Sequence, residues 1–143
     1  MNGARLLPFR GLLYDPQRIS GISRVVAPPY AVISPAEQEA LYEKDPLNVV
    51  RLILGREKPD DSPQDNRYTR ASRLWSEWFE KGILKRDDRP AVYLYEQEFD
   101  LEAKRVRRRG FIPLLRLEPF GRTVLRHERT LPGPKSARLS LMR

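Results

Sequence analysis

The sequence predicts an α+β fold, a mixed and largely antiparallel sheet with two or three helices, on three observations. One segment carries a helix start signal and another an apolar stripe at helical spacing, several β-branched or alternating runs lie between prolines and glycines, and an arginine-rich run sits where a hairpin would return. At 143 residues, 40% of them hydrophobic, the chain can bury one core, so a single domain over residues 1–143 is expected.

Leu6–Tyr14 mixes apolar residues with Pro8 and Gly11 and fits a short edge strand with a bend, ended by Asp15-Pro16. Ile22–Val26 reads as a β segment. It closes on Ala27-Pro28-Pro29-Tyr30, whose paired prolines make a stiff extended stretch, either a ligand-facing loop or a plain connector. Ser34-Pro35-Ala36-Glu37 places a capping serine, a first-turn proline and a glutamate where they satisfy orphan amides, so a helix is predicted over 35–44 and a stop at Asp45-Pro46. Its apolar side, Ala36, Ala40 and Leu41, is narrow and suits the edge of a core. Asn48–Leu54, β-branched and bounded by Pro46 and Gly55, reads as a buried strand. Arg51 is its one charge, an anion ligand or one end of an ion pair.

Residues 56–65 are polar and proline-punctuated, a mobile surface loop. Tyr68, Ala71, Leu74, Trp75, Trp78 and Phe79 then fall on one stripe of a helix over 66–81, with Gly82 available as a left-handed cap. An aromatic stripe at this spacing is expected in a core rather than as a platform for stacking bases. Ala91–Phe99 alternates as a strand covered on both faces near its start, and Asp100–Lys104 turns the chain. Arg105–Arg109 and Phe111–Leu117 return antiparallel, with Gly110 as a bulge and Pro113 at an edge. Thr123–Leu125 reads as a last short strand. Leu131-Pro132-Gly133-Pro134 is expected to exclude helix and strand, and an amphipathic helix starts at Ser136, with Leu139 and Met142 inward. That helix reaches Arg143 without a cap, so the chain is expected to be the amino-terminal piece of a longer protein, whose carboxyl-terminal region would be a partner.

No apolar run approaches the roughly 20 residues that span a bilayer, and no signal peptide core opens the chain, so a cytoplasmic protein without a membrane partner is expected. Zero cysteines exclude disulfides and thiolate sites, and one histidine excludes a histidine-based zinc site within the chain. The net charge of +8 is uneven: residues 104–109 carry +5, residues 122–143 another +5, and the remainder −2. Arginine makes up 21 of the 27 basic residues, which favours forked recognition of phosphate or carboxylate. Lys104, Arg105, Arg107, Arg108 and Arg109 either grip a phosphodiester backbone, making nucleic acid the alternative partner, or form a soluble edge. Chemistry concentrates in Val124–Lys135, where the only histidine, His127, lies beside Glu128, Thr130, Arg126, Arg129 and Lys135. This stretch is an anion-binding loop or a basic surface turn.

Taken in order, Pro8–Pro16, Ala27–Ser34, Asn48–Leu52, Ala91–Phe99, His127–Thr130 and Gly133–Lys135 resemble the amino-terminal part of the DUF1015 family. More remotely they resemble the ParB/sulfiredoxin superfamily, whose compact α+β unit binds nucleotide or phosphate in DNA-segregation proteins and in free-serine kinases. The resemblance implies a ParB/sulfiredoxin-like fold and phosphate chemistry: a phosphate-bearing small molecule as partner, Mg²⁺ with a nucleotide or pyrophosphate, and phosphoryl transfer to a small hydroxylated metabolite such as serine. In that reading Arg126, Arg129, Thr130 and Lys135 bind phosphate and His127 bonds one of its oxygens. Glu128 coordinates Mg²⁺ or takes the hydroxyl proton, and Arg10 and Arg51 are candidates for the substrate carboxylate. The family pattern usually has aspartate where this chain has Ala31 and Ala137. A catalytically inactive remnant and a ParB-like nucleic-acid-binding module are therefore the alternatives.

Overall fold

The computed structural model describes residues 3–126 and 132–142. Their three helices of ten residues or more, two single-turn helices and three two-stranded sheets make an α+β fold. The chain divides into two units, one of Met1–Leu12 with Arg86–Arg129, the other of Leu13–Lys85 with Thr130–Arg143.

The second unit holds the core. Helix α1 is a single turn, Ile22–Val25, and α2 spans Pro35–Lys44. The predicted capping box is present: Ser34 Oγ accepts from the Glu37 amide at 3.3 Å and Glu37 Oε2 accepts from the Ser34 amide at 2.8 Å. A second single turn, α3 (Val50–Ile53), precedes α4 (Arg67–Glu80). Asn66 caps α4 by accepting from the amides of Tyr68 and Thr69 at 3.0 and 3.2 Å, and Gly82 at φ 67° lets the chain leave it. Strand β2 (Leu12–Tyr14) pairs with β3 (Leu84–Arg86). Val25, Val50, Leu52, Ala71, Trp78, Ile83 and Leu84 are the buried apolar residues. The α4 stripe is thus core only in part: Trp78 is 2% exposed, whereas Trp75 and Phe79 are each 49% exposed.

Two predicted strands are single helical turns instead, 22–25 and 50–53. Asn48 explains both. It is fully buried, and its Nδ2 donates to the carbonyls of Arg24 and Val26 at 2.7 and 3.1 Å while its Oδ1 accepts from the Val50 amide at 3.0 Å. With the Val49 amide donating to the Val25 carbonyl at 2.7 Å, the two segments satisfy one another's backbone groups without a sheet. The expected burial of Val50 and Leu52 holds.

Beside this brace lies Asp45, 5% exposed, which accepts from the Leu47 amide at 2.8 Å and from the Ser20 hydroxyl, with Arg24 Nε at 3.5 Å. The Ser20 bond first, then the Leu47 amide, holds its carboxyl below the usual carboxylate range. The Tyr14 hydroxyl donates to the Leu47 carbonyl at 2.8 Å, and burial, then the Asp45 charge, pushes that phenol up to about 12. The 56–65 stretch is irregular as expected, and Arg70 ties it to α4 through Asp61 at 2.6 Å.

Helix α5, Pro132–Leu141, corrects a third expectation. Leu-Pro-Gly-Pro was predicted to exclude helix, yet Pro132 opens one and Pro134 lies in its first turn. A first-turn proline loses nothing, because the amides there have no partner within the helix.

In the first unit β1 (Leu6–Leu7) pairs antiparallel with β6 (Leu114–Leu115). Strand β4 (Tyr93–Leu101) pairs antiparallel with β5 (Lys104–Ile112) through nine unbroken positions. Glu102 and Ala103, at φ 47° and 63°, make the two-residue connection that matches strand twist. Gly110 lies in regular register opposite Tyr95, so the predicted bulge is absent and Pro113 simply closes the strand. Gly11 is required by a close approach: its amide donates to the Tyr93 hydroxyl at 2.6 Å, and a Cβ there would stand 2.5 Å from that oxygen. Thr123–Leu125 is a bend rather than a strand, with the Gly121 amide donating to the Val124 carbonyl at 3.0 Å. Among the described residues of this unit, only Gly11 is buried.

Candidate functional site

The second unit contains a cavity of about 210 Å³ built from four segments, its lining including Tyr30, Leu54, Gly55, Arg67, Ala137 and Arg138. The first segment is the proline pair. Pro29, at φ −54° and ψ 132°, delivers an extended chain into a 3₁₀ turn, Tyr30–Val32, closed by the Val32 amide donating to the Pro29 carbonyl at 3.0 Å. The Tyr30 hydroxyl is buried and has no hydrogen-bond partner among the described residues. The second segment is the end of α3, and the third the first turn of α4. There Arg67 Nη1 lies 2.8 Å from Glu57 and Nη2 donates to the Tyr68 hydroxyl at 2.8 Å. The fourth is α5, whose Arg138 guanidinium carbon is 5.8 Å from the Tyr30 ring centroid. Arg138 has no carboxylate partner among the described residues.

The electrostatics follow from what faces the cavity. Among the described residues two guanidinium groups line it, and the one carboxylate paired with them, Glu57, is 71% exposed, so its hold on Arg67 is weak and open to competition. Ala137 lines the cavity, and Ala31 lies in the 3₁₀ turn that begins at Tyr30. The two positions at which the resemblance implies aspartate therefore fall on segments of one cavity, and both hold alanine. Among the described residues no group of three or more His, Asp or Glu could hold a metal ion.

The other predicted residues are placed as follows. His127, Glu128, Arg129 and Thr130 lie outside the described residues. Lys135 is exposed on α5, three positions before Arg138, which puts the two cations on one side of the helix. Arg126, in the first unit, stacks over Phe120 at 5.2 Å. Arg10, also in the first unit, donates from Nε to the Asp87 carbonyl at 2.5 Å. Arg51 donates from Nη2 to the Tyr42 carbonyl at 2.6 Å and stacks 4.3 Å over the Tyr42 ring, which Arg56 approaches at 4.0 Å. Arg51 forms no ion pair among the described residues.

The basic block is one arm of the β4–β5 hairpin, where its arginines alternate in facing. Arg105, Arg107 and Arg109 stand opposite Asp100, Glu98 and Glu96. Glu98 receives Arg105 at 3.0 Å and Arg107 at 2.6 Å, Glu96 receives Arg109 at 2.5 Å, and the carboxyl of Glu98 is held low, first by Arg105 and then by Arg107. Three cations therefore meet three anions on that face. Lys104 and Arg108 lie on the other, with Arg108 donating to Gln97 at 2.9 Å.

Sequence reasoning missed Arg67 and Arg138 as cavity residues. Arg138 was within reach, since it follows the Pro-Lys motif, whereas Arg67 opens a helix and carried no signal.

An α+β chain with a small cationic cavity between a Pro-Pro-Tyr turn and a Pro-Gly-Pro-Lys helix is the class that fold and site define. The chain belongs to the family described as Protein of unknown function (DUF1015), which matches residues 6–143. No curated protein and no solved structure matches it. No helix among the described residues is long and apolar enough to cross a membrane.

Proposed function

We propose that this chain is a binding domain for a small phosphorylated ligand, its phosphate held in the cavity that Tyr30, Arg67 and Arg138 line. The observation that carries the reading is the cavity's charge: two guanidinium groups and no carboxylate among its described lining residues. A dianion can displace Glu57 from Arg67 and take charge-assisted bonds from both arginines. The unpartnered Tyr30 hydroxyl is a further donor, and Lys135 adds a cation near the amino end of α5, where the helix dipole favours negative charge.

The more specific form of this function is Mg²⁺-assisted phosphoryl transfer from a nucleotide or pyrophosphate to a small hydroxyl such as that of serine. It requires a metal ligand or base. Alanine at 31 and 137 removes the cavity's own candidates, leaving the role to Glu128 with His127. Binding is what the cavity supports.

Calorimetric titration with inorganic phosphate and with pyrophosphate, with and without Mg²⁺, tests the proposal. Saturable binding is expected, retained at moderate salt where a phosphodiester-gripping surface would lose affinity steeply. Arg138→Ala should weaken it by about tenfold or more, the effect of losing one charge-assisted bond. A folded sample that binds neither anion removes the proposal.

A further inference from the structure

The two sides of the β4–β5 ribbon differ in character. Cross-strand partners share a side and successive residues alternate. The register therefore places Leu94 with Phe111, Glu96 with Arg109, Glu98 with Arg107 and Asp100 with Arg105 on one side. There the carboxylates form a row along β4 and the guanidinium groups a row along β5, with Leu94 and Phe111 toward the root. The opposite side carries Tyr95, Phe99 and Val106 with Arg108 and Lys104, two cations and no acid.

The side with the two charged rows is open. Leu94 is 89% exposed and Phe111 59%, and all six charged residues of the rows are exposed. A two-stranded ribbon is marginal in water until one face is covered. A symmetric contact sets each residue against its counterpart's neighbour and the reverse, so a covering copy must be complementary to itself. With the two-fold axis along the strands, β4 of each copy lies over β5 of the other. Carboxylates then meet guanidinium groups, and Leu94 meets Phe111. With the axis across the strands, β4 lies over β4 and carboxylates meet carboxylates. The opposite side offers a copy of itself two cations and no acid to receive them. Edge pairing sets two basic strands, or two acidic ones, side by side.

We infer that this side of the ribbon is a homodimer interface, two copies stacked face to face about a two-fold axis along the strands. Glu98 of each copy faces Arg107 of the other, and Leu94 faces Phe111. Each carboxylate keeps its cross-strand arginine and gains a second one. Nine residues of antiparallel strand run about 30 Å, and the face is only two strands wide. The contact therefore falls below the roughly 1,200 Å² of a standard interface and belongs to the transient class. Its charged rows make it sensitive to salt.

Sedimentation equilibrium of the full chain over a concentration series, at low and at moderate salt, tests this. A monomer–dimer equilibrium is expected, weakened as salt rises. Glu98→Arg alone, or Arg107→Glu alone, sets like charges together at two symmetry-related contacts and should weaken the dimer about tenfold or more. The double exchange Glu98→Arg with Arg107→Glu restores the pairs within and between copies, so it should associate as the unmodified chain does. An equimolar mixture of the two single variants should form a heterodimer although neither associates with itself. A chain that stays monomeric up to about 1 mM overturns the inference. So does a dimer that the single variants leave unchanged, since it would use another surface. Loss in the single variants that neither the double exchange nor the mixture restores overturns the facing rows and with them the interface.

Discussion

The two units solve the same problem by opposite means. Among the described residues every buried apolar residue of the core, from Val25 to Leu84, belongs to the second unit, together with the buried Asp45 and Asn48. The first unit buries only Gly11 among its described residues and is held by backbone ladders and cross-strand pairs. Burial of apolar area is worth far more than exposed ion pairs. The units should therefore respond to substitution on different scales.

The largest effect is expected at Trp78. Trp78→Ala opens a cavity beside Tyr14, whose ring centroid lies 5.9 Å from that of Trp78, and should cost about 3–5 kcal/mol, read as a shift in the urea midpoint of the second unit. A loss below about 1 kcal/mol would mean the unit has no tightly packed centre. Next comes Asn48→Ala, which strands two carbonyls and an amide in the interior. About 2–3 kcal/mol is expected from unsatisfied groups alone, and Asn48→Asp, which cannot donate to those carbonyls, should recover little.

Acid should act on the second unit through Asp45. Its carboxyl titrates lower in the folded than in the unfolded chain, so its contribution is complete above the unfolded value near 4 and disappears as pH falls through the lower folded value. Thermal melts between pH 5 and pH 2 should show this loss, and Asp45→Asn should flatten the profile while lowering stability at pH 7. The smallest stability change is expected in the hairpin, where Glu98→Gln should leave the melting midpoint nearly unmoved. The same substitution releases Arg105 and Arg107, so retention on a sulfated polyanion column should rise. Unchanged retention would mean that those pairs do not mask the arginines.

Much of this was readable beforehand, for identifiable reasons. Ser34-Pro35-Ala36-Glu37 specifies α2 locally, because the cap closes within four residues, and the Tyr68–Phe79 stripe specifies α4. Ile22–Val26 and Asn48–Leu54 misled, because β-branched runs state burial but not which backbone partner will be found. That partner was the amide of Asn48, some 22 to 24 residues away from its acceptors. Gly110 misled similarly, since a glycine within a strand signals a bulge only when the pairing slips. As for the candidate site, Pro-Pro-Tyr and the Pro-Lys helix marked two of its four walls. Arg67 and the exposure of Trp75 depend on how α3, α4 and α5 meet, which no local pattern encodes.

The connection at Glu102 and Ala103 has a kinetic consequence. Both residues sit in the left-handed region without being glycine or asparagine, a conformation that costs each of them free energy. Closure from the tip is thereby disfavoured, and the ribbon should zip from its root, where Tyr93 is anchored on Gly11. Opening should run in reverse, so amide exchange ought to be fastest beside Leu101 and Lys104. Asn-Gly at the two positions should slow it there first, turning the loosest end of the ribbon into its seed.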